Sequence, residues 1–197
     1  MMKMCMFLGA ATVFAFLGTS AALAAGECPG AGDLTWKKFR DGTYATPTPE
    51  ERGEVQDLIA EYAWVMDNRD FVTLPDLFLS DGRYYFCEMK NKDAVKSFTP
   101  KALAAQFQND FQNLQNADAR ARRTFGGVLI GKNKDTGDFE VAISAVIFLQ
   151  VLGVSTAHVD YMANIYATVS RDSADSLLKF RALQVAPDQA GIVASAR

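Results

Sequence analysis

The chain has 197 residues, 49% of them hydrophobic and 22% charged, with a formal net charge of −3. That is the balance of one ordinary globular domain, and it excludes a basic nucleic-acid-binding surface and a charged tail. One histidine, three cysteines and no C-x-x-C give no metal-site pattern, and nothing calls for a cofactor.

The first residues read as an address rather than as part of the fold. "MMK" supplies a positive charge, "MCMFLGAATVFAFLG" is an apolar stretch of secretory length, and "AALAAG" places Ala22-Leu23-Ala24 as an A-x-A cleavage site. The expectation is a signal peptide over 1–24, cleaved after Ala24. The alternative is a membrane anchor, but the apolar run falls short of the roughly 20 residues a spanning helix needs. Glu27 before Cys28 does not suit a lipid-modified cysteine. The mature chain is therefore expected in the periplasm or secreted, with no membrane contact after cleavage. Cleavage leaves Cys28 and Cys87, either as a disulfide in an oxidising compartment or as two unrelated thiols. A closed loop of about 60 residues would contribute on the order of 4 kcal/mol.

Residues 25–47 are rich in Gly and Thr and lack a period, so they read as an irregular arm, with Trp36 and Phe39 as its anchors. Helix one starts at Thr48-Pro49, with Glu51 placed for a capping box. Val55, Leu58, Ile59, Tyr62 and Met66 then form one apolar stripe. At 100° per residue Tyr62 and Met66 sit at its centre, Trp64 points away, and Asp67 lies on its shoulder. A second short helix is expected over 71–79, then a turn at 80–82 and a strand in "RYYFCEM". Thr99-Pro100 opens a third helix, with Leu103, Phe107, Phe111 and Leu114 on one face. "RTFGGVLIG", "DFEVAISAVIFLQVLG", "AHVDYMANIYATVSR" and "SLLKFRALQVA" read as strands joined by short turns, hence antiparallel. In the third of these, Val159, Tyr161, Ala163, Ile165, Ala167 and Val169 share the inward face, which places His158 outside. The predicted class is α+β: three N-terminal helices in the concave face of a curved antiparallel sheet. The domain is expected over 48–186, with a tail at 187–197.

The segment "IAEYAWVMDNRDFVTLPDLFLSDGRYYF" resembles the first helices of SnoaL-like proteins of the nuclear transport factor 2-like superfamily. "RRTFGGVLIG" and "AHVDYMANIYATVSRDSADSLLKFRALQV" resemble strands of the same fold, so the resemblance spans about 50–186. It implies a cystatin-like cone with an apolar pocket at one end, and a family in which catalysis is common but not universal. Tyr62 matches the helix-one tyrosine that donates to the dienolate oxygen in ketosteroid isomerase; the general base of that enzyme falls near Phe86, and Glu88 is two residues displaced. Asp67 matches the water-holding aspartate of scytalone dehydratase, whose histidines fall at Arg123 and near Tyr161. Arginine is no base at neutral pH, but Arg123 could pair with Asp67 or hold an anionic ligand.

The expectation is thus an exported domain with an apolar pocket for a small hydrophobic molecule, whose catalytic form would be a cofactor-free lyase or isomerase. Asp67, Tyr62 and His158 would be its catalytic residues; Met66, Arg123, Tyr161, Phe86 and Phe107 would line its pocket. Two other readings stand beside it: a non-catalytic binding protein of the cell envelope, and a homodimeric assembly module. The module would bury Phe148, Met162, Tyr166 and Trp64.

Overall fold

The computed structural model describes residues 39–88, 91–115, 119–151, 153 and 156–188. The signal segment, Cys28, Trp36 and the end of the tail lie outside the described residues.

Helix α1, Pro49–Asn68, begins as the sequence dictates. The Thr48 hydroxyl accepts from the Glu51 N–H at 3.2 Å, and the Glu51 carboxylate accepts from the Thr48 N–H at 3.0 Å. Glu51 also pairs with Lys132, tying the helix start to the sheet. Thr48→Ala removes the cap and is expected to cost about 1 kcal/mol, read as a lower urea midpoint at constant slope. The helix buries Val55, Leu58, Ile59, Tyr62, Val65 and Met66, and leaves Trp64 in solvent.

The described residues hold two α-helices, not three. The segment after α1 forms only a 3₁₀ turn, Leu74–Leu77, and is already a strand at Phe78. Pro75 sits in its first turn and the apolar run is too short to propagate as an α-helix. Helix α2, Pro100–Gln115, starts with Thr99 accepting from the Ala102 N–H.

Seven strands make one sheet: β1 (Tyr44–Ala45), β2 (Phe78–Glu88), β3 (Asn91–Phe98), β4 (Ala119–Asn133), β5 (Phe139–Val151), β6 (His158–Arg171) and β7 (Leu178–Pro187). Their order is β1-β4-β5-β6-β7-β2-β3. The meander β4 to β7 is antiparallel as expected, but β2 lies parallel to β7. That pairing joins strands about a hundred residues apart, with α2 on the connection, so no short turn announces it.

Register shifts interrupt β2, β4, β5 and β6, and such bulges bend a sheet. The curved, unclosed sheet holds α1 against its concave face, and the core is built from the α1 stripe, Leu103, Ile143, Ile147, Ile165, Val169, Phe180, Leu183 and Val185. Among the described residues no helix is long and apolar enough to cross a membrane.

Candidate functional site

The α1 stripe drives Tyr62 into the concave face, where it is 3% exposed. Its ring stacks on Phe125 of β4 at 6.5 Å and meets Phe180 of β7 edge-on at 5.9 Å. Its phenol lies close enough to that of Tyr84 on β2 for each to influence the other's ionisation. Burial pushes the Tyr62 phenol up to about 12, and pushes Tyr84 well above the ordinary tyrosine value. Both therefore stay protonated and neutral across the physiological range.

Asp67 lies at the end of α1, beside the edge of β4. Its Oδ1 accepts from Arg123 Nη1 at 2.6 Å and its Oδ2 accepts from the Arg123 backbone N–H at 3.1 Å. The two side chains are 10% exposed for Arg123 and 12% for Asp67. Both carboxylate oxygens are thus held by one residue, and the pair latches α1 to β4. Arg122 Nη1 adds a bond to the Asp67 carbonyl, and Arg69 donates to the Ala119 carbonyl while lying over the Phe111 ring. Burial works against the charge of Arg123, but Tyr62, Tyr161 and Asp67 outweigh it, so its pKa stands above the ordinary value.

Tyr161 is half-buried on β6, in register with Ile147, which pairs with Arg123 on β4. Burial raises its phenol and the Arg123 charge partly offsets this. The concave face is fully buried around Met66, whereas Phe86, Phe107, Phe125, Ala121 and Tyr161 pack on the core while staying partly exposed. These side chains form a partly exposed apolar rim to the core. Phe107 meets Tyr84 edge-on at 5.9 Å and continues to Phe71 and Phe111.

The structure thus brings Tyr62, Met66, Asp67, Phe86, Phe107, Arg123 and Tyr161 onto one core and adds Tyr84, which the sequence reading passed over. Its signal was available: in the alternating "RYYFC", Tyr84 falls on the same face as Phe86. His158 stands apart at the exposed start of β6. A bulge sets Tyr161 opposite Ile147 and Val159 opposite Phe148, skipping Asp160. Val159 is therefore on the convex face, not the inward one, while His158, opposite Leu149, falls in phase with the concave row at its rim. Cys87 is buried on β2 and disulfide-bonded; Cys28 lies outside the described residues.

One groove lined by described residues has a volume of about 220 Å³ and lies elsewhere, between Phe39, Arg40, Arg52 and Leu129. A half-buried acid lies on the convex face. Glu140 of β5 accepts from the Thr168 hydroxyl at 3.1 Å, and burial raises its carboxyl to about 7. The folded state therefore holds a proton that the unfolded chain releases near its ordinary 4.5. Its contribution to stability is full below that value and is lost as pH rises through about 7. Glu140→Gln is expected to add about 1–3 kcal/mol at pH 8, the upper figure being reduced by residual solvent contact, and almost nothing at pH 4. Thermal melts at the two pH values check this.

No protein-family model and no curated protein matches the sequence. Solved structures match the fold. Aln2 from a Streptomyces species superposes with a TM-score of 0.61 at 21% identity, covering 78% of this chain and 100% of that one. A nuclear transport factor 2-like protein with a cystatin-like fold from Novosphingobium aromaticivorans gives 0.58 at 22%, covering 85% and 97%. A protein from Catenulispora acidiphila in complex with S-DNPA gives 0.53 at 18%, covering 68% and 92%. The chain has the cystatin-like fold of these nuclear transport factor 2-like, SnoaL-like proteins.

Proposed function

We propose that this chain is an exported, cofactor-free domain that binds a small, largely apolar molecule bearing one hydroxyl or carbonyl oxygen. The molecule would enter at the apolar rim between Phe86, Phe107, Phe125 and Tyr161. Its oxygen would meet the Tyr62 hydroxyl, with the Arg123 cation beside it. The observation that carries this reading is the two phenols of Tyr62 and Tyr84 buried next to the Arg123–Asp67 ion pair. Neutral phenol donors in a water-poor site stabilise an oxygen on which negative charge gathers. The bound ligand of the Catenulispora protein supports a small-molecule site in this fold. Export is supported by the apolar N-terminal segment and by the disulfide at Cys87, since such bonds persist in oxidising compartments.

Calorimetric titration with 2-naphthol and with naphthalene tests the reading. The naphthol is expected to bind about tenfold more tightly, a difference of about 1.4 kcal/mol that one buried hydrogen bond supplies, and Tyr62→Phe should erase the difference. Equal affinities in the unaltered protein would defeat it.

The second reading is a lyase or isomerase with Tyr62 as donor and Asp67 as base. The oxyanion-stabilising phenols favour it; the commitment of both Asp67 oxygens to Arg123 favours plain binding. For catalysis Arg123 must release an oxygen on substrate entry. Asp67→Asn should then abolish turnover of a bound substrate while sparing its affinity, and unchanged turnover removes Asp67 from the chemistry.

A further inference from the structure

The convex face of the sheet carries a band of burial that the helices do not supply, because both pack on the concave face. Leu129, Ala142, Tyr166, Gln184 and Tyr85 lie in register across β4, β5, β6, β7 and β2 on the convex side. The middle of this row is buried, with Tyr166 at 9% exposure and Gln184 at 4%. Two rungs along the same face, beside Val146, Met162 is 46% exposed.

The band has a marker at each end. At β2, Cys87 follows Tyr85 in the convex row, accepts from Gln184 Nε2 at 3.3 Å and is disulfide-bonded. At β4, the Tyr44 ring lies over Gly131, where an added Cβ would come within 2.8 Å of it. Gly131 pairs with Glu140, so this contact is also on the convex side. Cleavage after Ala24 would leave Cys28 as the one cysteine besides Cys87. From β2 to β1 is five strand spacings, about 24 Å, and the 16 residues from Cys28 to Tyr44 reach at most about 55 Å. Their sequence, with Pro29, Gly30 and Gly32 and then Leu34 and Trp36, suits an irregular segment with two large apolar anchors.

We propose that residues 28–38 form a strap across the convex face, closed by a Cys28–Cys87 disulfide, with Leu34 and Trp36 seated over Ala142, Tyr166 and Gln184. The strap occupies with the chain's own arm the surface through which two copies would otherwise pair. Only the outer part of that surface, around Val146, Phe148, Val159 and Met162, stays free of it.

Hydroxyl-radical footprinting of the oxidised mature protein, with non-reducing peptide mapping, tests this. The map should contain a Cys28–Cys87 peptide, and Tyr166 should be protected to the same degree at low and high protein concentration. In the double variant Cys28→Ser, Cys87→Ser, labelling of Tyr166 should rise several-fold while Tyr62 stays protected, which certifies the fold. Trp36→Ser, which keeps the disulfide, should raise it too. Cys87 linked to another copy, protection that grows with concentration, or Tyr166 labelling unchanged by both substitutions would each overturn the strap. The first two outcomes would assign the face to a second copy.

Discussion

Arg123→Met is expected to destabilise the fold by about 3–5 kcal/mol, because it strands a buried carboxylate. Asp67 is 12% exposed and receives both of its side-chain partners from Arg123. The methionine keeps the apolar bulk of the side chain, so the loss reports the unpaired charge rather than a cavity. Asp67→Leu combined with Arg123→Met should recover most of the stability, since removing both charges removes the desolvation they require. Equilibrium urea unfolding of the two single variants and the double variant gives the coupling. A loss below about 1 kcal/mol for Arg123→Met would mean that the pair behaves as a solvated surface bridge.

Phe180→Ala should cost a similar amount, about 3–5 kcal/mol. Phe180 is among the most buried side chains, packs on Phe78 at 5.4 Å and supports the edge of the Tyr62 ring at 5.9 Å. The cavity would lie directly behind Tyr62, so the variant should also lose the affinity difference between naphthol and naphthalene where it remains folded. Urea unfolding checks the first effect and calorimetry the second. A loss under about 1 kcal/mol would mean that neighbouring side chains collapse into the space.

Much of this architecture is written locally. Thr48, Pro49 and Glu51 fix the start of α1 through groups three residues apart, and the 3.6-residue period alone turns Tyr62 inward and Trp64 outward. The long β-branched runs of β5 to β7 bury alternate residues and need no partner to be recognised. What was illegible depends on distant or weak signals. β3, "NKDAVKSF", is a polar edge strand whose outer side has no core to face, so it carries little hydrophobic pattern. Pro75 and a short apolar run turned an expected helix into a 3₁₀ turn.

The site was partly legible for the same reasons. Asp67 and Arg123 are 56 residues apart, and only the docking of α1 on the β4 edge joins them. The side on which His158 and Val159 fall depends on one bulge, and a single extra residue reverses the phase of everything beyond it. Tyr84 needed nothing beyond period two along its strand.

Native mass spectrometry of the protein isolated from its own host tests the proposed binding site most directly. The expected spectrum shows a fraction of the protein carrying one small, oxygen-bearing organic molecule, with Tyr62→Phe isolated in the same way carrying less of it. A ligand-free spectrum at every collision energy, together with no uptake of added naphthol, would contradict a site at the apolar rim.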